Sequence, residues 1–183
     1  AYHRGNTGIG RAIAVLLASE GVDTFVCGRT PEHLDDALSR INEVGTGGGI
    51  ALDLAEPDAV DSFFTAGKRY FGEADIVIIN AAVPASALSE MTQHALRYAI
   101  ATDFTAYLLT AHAGASLLGD KGGIVLIGSM SAHVLGPGST VYAGMKAGIA
   151  GFAEALRKEL GPTGIKVSLV EPGKTGADFQ YLD

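Results

Sequence analysis

Cysteine is nearly absent from this chain: Cys27 is the single thiol in 183 residues. One thiol cannot build an internal disulfide framework, and its scarcity suits a reducing compartment such as the cytoplasm. Its place in an apolar run reads as core filling rather than as a reactive group. Basic charge is also short, with 13 Lys and Arg against 20 Asp and Glu and a formal net charge of −7. No basic block overrides that balance, so nucleic acid and anionic lipid are excluded as electrostatic partners. Apolar runs are brief; Ile76-Val77-Ile78-Ile79 is far too short to cross a bilayer. The five histidines fall at no metal-ligand spacing, so no metal is expected. There is no internal repeat, low-complexity tract or linker, which leaves a single domain over 1–183.

What the chain has in quantity is glycine and apolar surface, 25 glycines and 48% hydrophobic residues with 18% charged. Short β-rich runs fall at 24–27, 50–52, 75–79, 123–127 and 166–170. Helical spacing fills the stretches between them, at 11–19, 32–44, 57–70, 92–118 and 140–160. Thr30-Pro31 supplies a cap and a first turn for the second of these helices. Strand–helix alternation of this kind predicts a parallel sheet with helices on both faces. The fold class is therefore α/β, a Rossmann-like, doubly wound parallel sheet in three αβα layers. A glycine-rich loop normally follows a buried strand, and only Ala1-Tyr2-His3-Arg4 precedes this one. A first strand ahead of Gly5 and a segment beyond Asp183 are accordingly expected in the natural protein.

Three features carry chemistry. Gly5-Asn6-Thr7-Gly8-Ile9-Gly10 lies just before a helix, where glycines let the backbone approach a pyrophosphate resting on helix N–H groups. Gly28-Arg29-Thr30 ends the next strand without the carboxylate that would select NAD, and Arg29 is placed to receive a 2′-phosphate. Asp53 and Asn80 end the following two strands, where polar side chains face a ligand crevice. Tyr142 and Lys146 stand four residues apart on one helix face, and Ser129 follows the strand thirteen residues before the tyrosine. Carbonyl reduction needs a proton at the developing alkoxide, and a phenol can deliver it. Its ordinary pKa of about 10 is high for the task, and a neighbouring ammonium is expected to lower it. Ser129 would hold the carbonyl oxygen.

Together these residues resemble the short-chain dehydrogenase/reductase family over nearly the whole chain, in its single-domain, NADP-preferring branch. The resemblance implies an NADP(H)-dependent enzyme interconverting a carbonyl and an alcohol on a small-molecule substrate, as a homodimer or homotetramer in the cytoplasm. It places Gly5, Thr7, Gly8, Ile9 and Gly10 on the cofactor, with Arg29, Asp53, Leu54, Asn80, Ala81, Tyr142, Lys146, Pro172 and Gly173. It makes Ser129, Tyr142 and Lys146 catalytic, and aligns the family's proton-relay asparagine, which sits in a distorted helix turn, with Thr102. Three positions depart from the family pattern: His3-Arg4 in the loop, Thr102, and Ala177 where a threonine is usual. The alternative is a degenerate relative that binds nucleotide or a partner without turnover. The substrate-facing loops after Asn80 and over 130–140 carry Pro84, Leu88, Met130, Val134 and Leu135, which suits an uncharged, partly apolar substrate.

Overall fold

The computed structural model describes residues 8–175. The expectations resting on Gly5, Thr7, His3-Arg4 and Ala177 lie outside those residues. In chain order the elements are α1 (Gly8–Ser19), β1 (Thr24–Gly28), α2 (Pro31–Val44), β2 (Gly47–Ala51), α3 (Ala59–Phe71) and β3 (Ile76–Ile79). There follow α4 (Gln93–Ile100), a π-helical turn (Ala101–Thr105), α5 (Ala106–Leu117), β4 (Gly123–Ile127), α6 (Thr140–Leu160) and β5 (Lys166–Val170).

All strand pairs are parallel. β1 pairs with β2 from Thr24 opposite Gly47, and β4 lies between β3 and β5, with Gly123 opposite both Ile76 and Lys166. Parallel strands need crossovers, and the helices between them lie on both faces. The period of two in a strand shows this directly. Val77 and Ile79 pack with Tyr107, Ala111, Ile149 and Ala153 of α5 and α6. The intervening Ile78 packs instead with Ala14, Ala18, Leu34 and Ile41 of α1 and α2. All five residues of β1 are buried, Cys27 at 0% exposure, so the cysteine is core filling. The result is the three-layer, doubly wound architecture expected from the sequence. β1 and β3 are not hydrogen-bonded to each other.

Two elements differ from the sequence reading. β2 runs over Gly47–Ala51 rather than 50–52, so three glycines form most of a strand. A Cβ on Gly47 would lie 2.4 Å from Ile41, on Gly48 2.6 Å from the Tyr70 ring, and on Gly49 2.7 Å from the Val26 carbonyl. Large neighbours from α2, α3 and β1 fill the space that strand side chains would take, and β-propensity says nothing about such a place. The helix read over 92–118 is likewise interrupted. Thr92 caps α4, accepting a hydrogen bond from the Ala95 N–H at 3.1 Å. The chain then makes one wider turn before α5, and such turns recur at functional sites.

Gly49→Ala should lower unfolding free energy by about 1–3 kcal/mol, because the obstructing atom is backbone. Gly119→Ala, with nothing within 4 Å of its new Cβ, should be neutral or stabilising by up to about 1 kcal/mol. Urea melts of the two variants distinguish packing from a general intolerance of side chains.

Candidate active site

The polar residues picked out in the sequence collect at the carboxyl ends of the strands, where an open parallel sheet forms its crevice. The backbone explains the convergence. Gly128 N–H donates to the Val170 carbonyl at 2.7 Å, and Met130 N–H to the Pro172 carbonyl at 3.0 Å. These bonds extend the β4–β5 pairing past both strand ends. They bring the segment holding Ser129 beside Pro172-Gly173. Ser129 is extended and caps a short 3₁₀ turn, its hydroxyl accepting from the Ser131 N–H at 3.1 Å.

Lys146 is the anchor of the site. Its side chain is 2% exposed. Nζ donates to the carbonyl of Ile127, the last residue of β4, and to the Tyr107 hydroxyl, each at 3.3 Å. Tyr107, fully buried on α5, donates in turn to the same Ile127 carbonyl at 2.9 Å. The ammonium lies 4.8 Å from the Tyr107 ring centroid and 5.6 Å from that of Tyr142. Burial disfavours the charged form and brings the Lys146 pKa down from 10.5 to about 8, against the opposing charge of Asp103.

Tyr142, one turn earlier on α6, shares a hydrogen bond with the Ser129 hydroxyl. Its pKa is raised, not lowered: burial is the largest influence, Asp103 adds to it, and the Ser129 bond opposes both. This corrects the expectation of an activated phenolate. The ammonium spends its hydrogen bonds on Tyr107 and Ile127, and desolvation then dominates at the phenol.

Asp103 and Tyr107 were not foreseen. Asp103 is completely buried in the π-helical turn, with Oδ1 accepting from the Val83 N–H at 2.7 Å. Both sit on an unbroken-looking helical run, and no spacing rule links them to a tyrosine some forty residues away. The distorted turn itself falls where the family resemblance implied one. Thr102 also lies in it, 4% exposed, but it walls a different part of the crevice, together with Gly28, Arg29, Asp53, Leu54, Ala81 and Tyr98. It is Asp103 whose charge bears on Lys146 and Tyr142.

The remaining positions are simply placed. Gly8 opens α1 at φ 55°, a left-handed value that glycine adopts without penalty. Ile9 and the buried Gly10 complete the first turn. Asn80 follows β3, and Ala81 after it is buried. His133 pairs with Glu171 at 3.0 Å, just before Pro172-Gly173. Among the described residues no group of His, Cys, Asp and Glu could hold a metal, and no helix is long and apolar enough to cross a membrane.

The residues fit a dinucleotide by two independent features. Gly8 gives the backbone shape needed beside a phosphate, and the Thr102 hydroxyl, buried in the cavity wall, has no hydrogen-bond partner. A doubly wound sheet with Ser, Tyr and Lys converging at its carboxyl edge is the architecture of a nucleotide-dependent oxidoreductase. The family profile described as short chain dehydrogenase matches residues 4–181. The chain is 34% identical over 177 residues to the 3-oxoacyl-[acyl-carrier-protein] reductase of Haemophilus influenzae, covering 94% of this chain and 72% of that protein. It is 30% identical over 180 residues to the serine 3-dehydrogenase of Agrobacterium fabrum, covering 96% and 71%. A dehydrogenase/reductase from Sinorhizobium meliloti superposes with a TM-score of 0.92 at 31% identity, covering all of this chain and 75% of the other. A short chain dehydrogenase from Burkholderia cenocepacia, solved in complex with NADP, gives 0.90 at 31% identity, covering 97% and 75%. The chain belongs to the short-chain dehydrogenase/reductase family, oxidoreductases that use nicotinamide cofactors.

Burying the Lys146 ammonium costs stability. The folded pKa is below the unfolded one, so the penalty is full below pH 8 and fades as pH rises from about 8 towards 10.5. In chemical melts taken between pH 6.5 and 10, the stability of Lys146→Met relative to the wild type should therefore hold constant below pH 8 and fall steadily above it.

Proposed function

We propose that this chain is an NADP(H)-dependent enzyme interconverting a carbonyl and an alcohol on a small, uncharged, partly apolar substrate. One observation carries the reading: Ser129 and Lys146 both lie against Tyr142, beyond the carboxyl end of β4. A structural role would require no such set, which argues against a member that binds without turnover. The nicotinamide cofactor, when bound, supplies or takes up the hydride. Everything else falls to the chain's own residues.

Tyr142 holds the proton. With its pKa raised it is a neutral phenol at physiological pH, suited to donating to an oxygen that gains negative charge during reduction. Ser129, already bonded to that phenol, offers the same oxygen a second hydrogen bond and fixes its position. Lys146, 5.6 Å from the Tyr142 ring centroid, places a positive charge beside the phenolate that donation leaves behind. Asp103 keeps that ammonium charged, and we assign to it the proton-return position that the sequence alignment gave to Thr102.

The substrate enters beside the 3₁₀ turn after Ser129, where Met130, Val134 and Leu135 are 43%, 67% and 73% exposed. NADP is favoured over NAD because Gly28 brings no carboxylate to the end of β1 and Arg29 follows it. The similar Burkholderia protein, solved with NADP, supports that choice. Cofactor-facing roles go to Gly5, Thr7, Gly8, Ile9, Gly10, Arg29, Asp53, Leu54, Asn80, Ala81, Tyr142, Lys146, Pro172 and Gly173. We place the enzyme in the cytoplasm as a homodimer or homotetramer, its subunits meeting along the exposed small residues of α6. Sedimentation of the intact protein should give two or four times its protomer mass.

Oxidation of NADPH should follow addition of simple ketones or aldehydes, with NADH at least about tenfold poorer. Tyr142→Phe should lose at least about 100-fold in turnover while keeping its affinity for NADPH. Turnover within a few-fold of wild type in the Phe protein would assign the proton to another group.

A further inference from the structure

Tyr98 on α4 joins Arg29, proposed above to receive the 2′-phosphate, to Asp53, which the family resemblance places on the cofactor. Arg29, just after β1, donates through Nη1 to the Tyr98 hydroxyl. That hydroxyl donates to Asp53 Oδ2, just after β2, at 2.8 Å. The Arg29 guanidinium carbon also lies 5.9 Å from the Tyr98 ring centroid. Three elements distant in sequence are thus tied across the crevice by one phenol. Burial, with help from Asp53, raises the Tyr98 pKa, so the phenol stays protonated and keeps donating.

Behind this bridge the cavity walled by Cys27, Leu52, Leu54, Ala81, Val83 and Thr102 measures about 20 Å³. That is room for roughly one water molecule and far too little for a purine. Its wall nevertheless presents the buried Thr102 hydroxyl without a partner. A buried hydroxyl left unbonded is costly, and a base with donor and acceptor edges would satisfy it.

We propose that Tyr98 is a gate over the adenosine pocket, held shut by Arg29 and Asp53 and opened when an adenosine group displaces it. The inference rests on the nicotinamide-dinucleotide reading of the site. An entering adenosine must break both phenol bonds, whatever it carries on its ribose. A 2′-phosphate then recovers Arg29 through a charge-assisted bond, whereas an unphosphorylated ribose leaves the guanidinium to water. Every adenosine ligand is therefore weakened by the gate, and a 2′-phosphate offsets part of that loss. Tyr98 acts on affinity for both ligand types, and Arg29 on the choice between them.

The test uses two half-ligands lacking nicotinamide, adenosine 2′,5′-bisphosphate and adenosine 5′-monophosphate, titrated calorimetrically into wild type and Tyr98→Phe. The Phe variant keeps the ring and its packing and deletes only the hydroxyl, and its thermal melt verifies the fold. Both ligands should bind about three- to tenfold more tightly to the variant, with the ratio between them unchanged within about twofold. A wild type that binds neither detectably, beside a variant that binds one or both, also supports the gate. Unchanged or weaker affinity in the variant, or no binding to either protein, overturns it. Failure of the NADP reading shows separately, as equal affinity of the wild type for the two ligands.

Discussion

The arrangement of the site depends on one buried ammonium. Lys146 carries its charge into the contact between α6 and β4, and the Ile127 carbonyl and Tyr107 hydroxyl receive it there. Ile127 ends the strand that leads to Ser129, so the bond that satisfies Lys146 also sets the height of α6 against the sheet edge. Tyr142, one turn away, is thereby brought to the Ser129 hydroxyl. A neutral side chain at position 146 would pack more cheaply. The charge is tolerated because the fold provides two acceptors and the nearby Asp103 carboxylate, and stability is given up for a polar site.

The same anchor accounts for the acid–base arrangement. An ammonium pointing directly at a phenol would lower the phenol's pKa. Here its hydrogen bonds go elsewhere, and desolvation leaves Tyr142 protonated while drawing Lys146 towards neutrality. Two groups that ordinarily titrate near 10 are driven in opposite directions by one apolar environment, because one is charged when protonated and the other when deprotonated. The pair that results is a protonated phenol beside an ammonium that loses its charge near pH 8.

Much of this was legible in the sequence, for reasons of period and spacing. Tyr142 and Lys146 were readable because four residues is one helical turn, and Ser129 because it directly follows an apolar strand. The alternation of Val77, Ile78 and Ile79 between two helical layers follows from strand–helix alternation itself. What escaped was set by neighbours in space. β2 begins at Gly47 because Ile41, Tyr70 and Val26 occupy the room around it. Asp103 and Tyr107 reach Lys146 only because a π-helical turn rotates α5 relative to α4, and α5 then packs beside α6. Thr102, aligned with a relay residue in the sequence, belongs to the cavity under Tyr98, since one residue along a helix turns a side chain by about 100°. The bridge from Arg29 through Tyr98 to Asp53 joins three segments that share no periodic pattern.

The central claim is that Lys146 is a buried cation whose charge is lost near pH 8, and it can be read directly. Heteronuclear NMR of the lysine side chains, with the Lys146 signal assigned by its loss in Lys146→Met, would follow its titration between pH 6 and 12. A midpoint of about 8, well below that of the exposed lysines, is the predicted result. A midpoint at the ordinary value near 10.5 would contradict the account, because burial would then not govern the charge of Lys146.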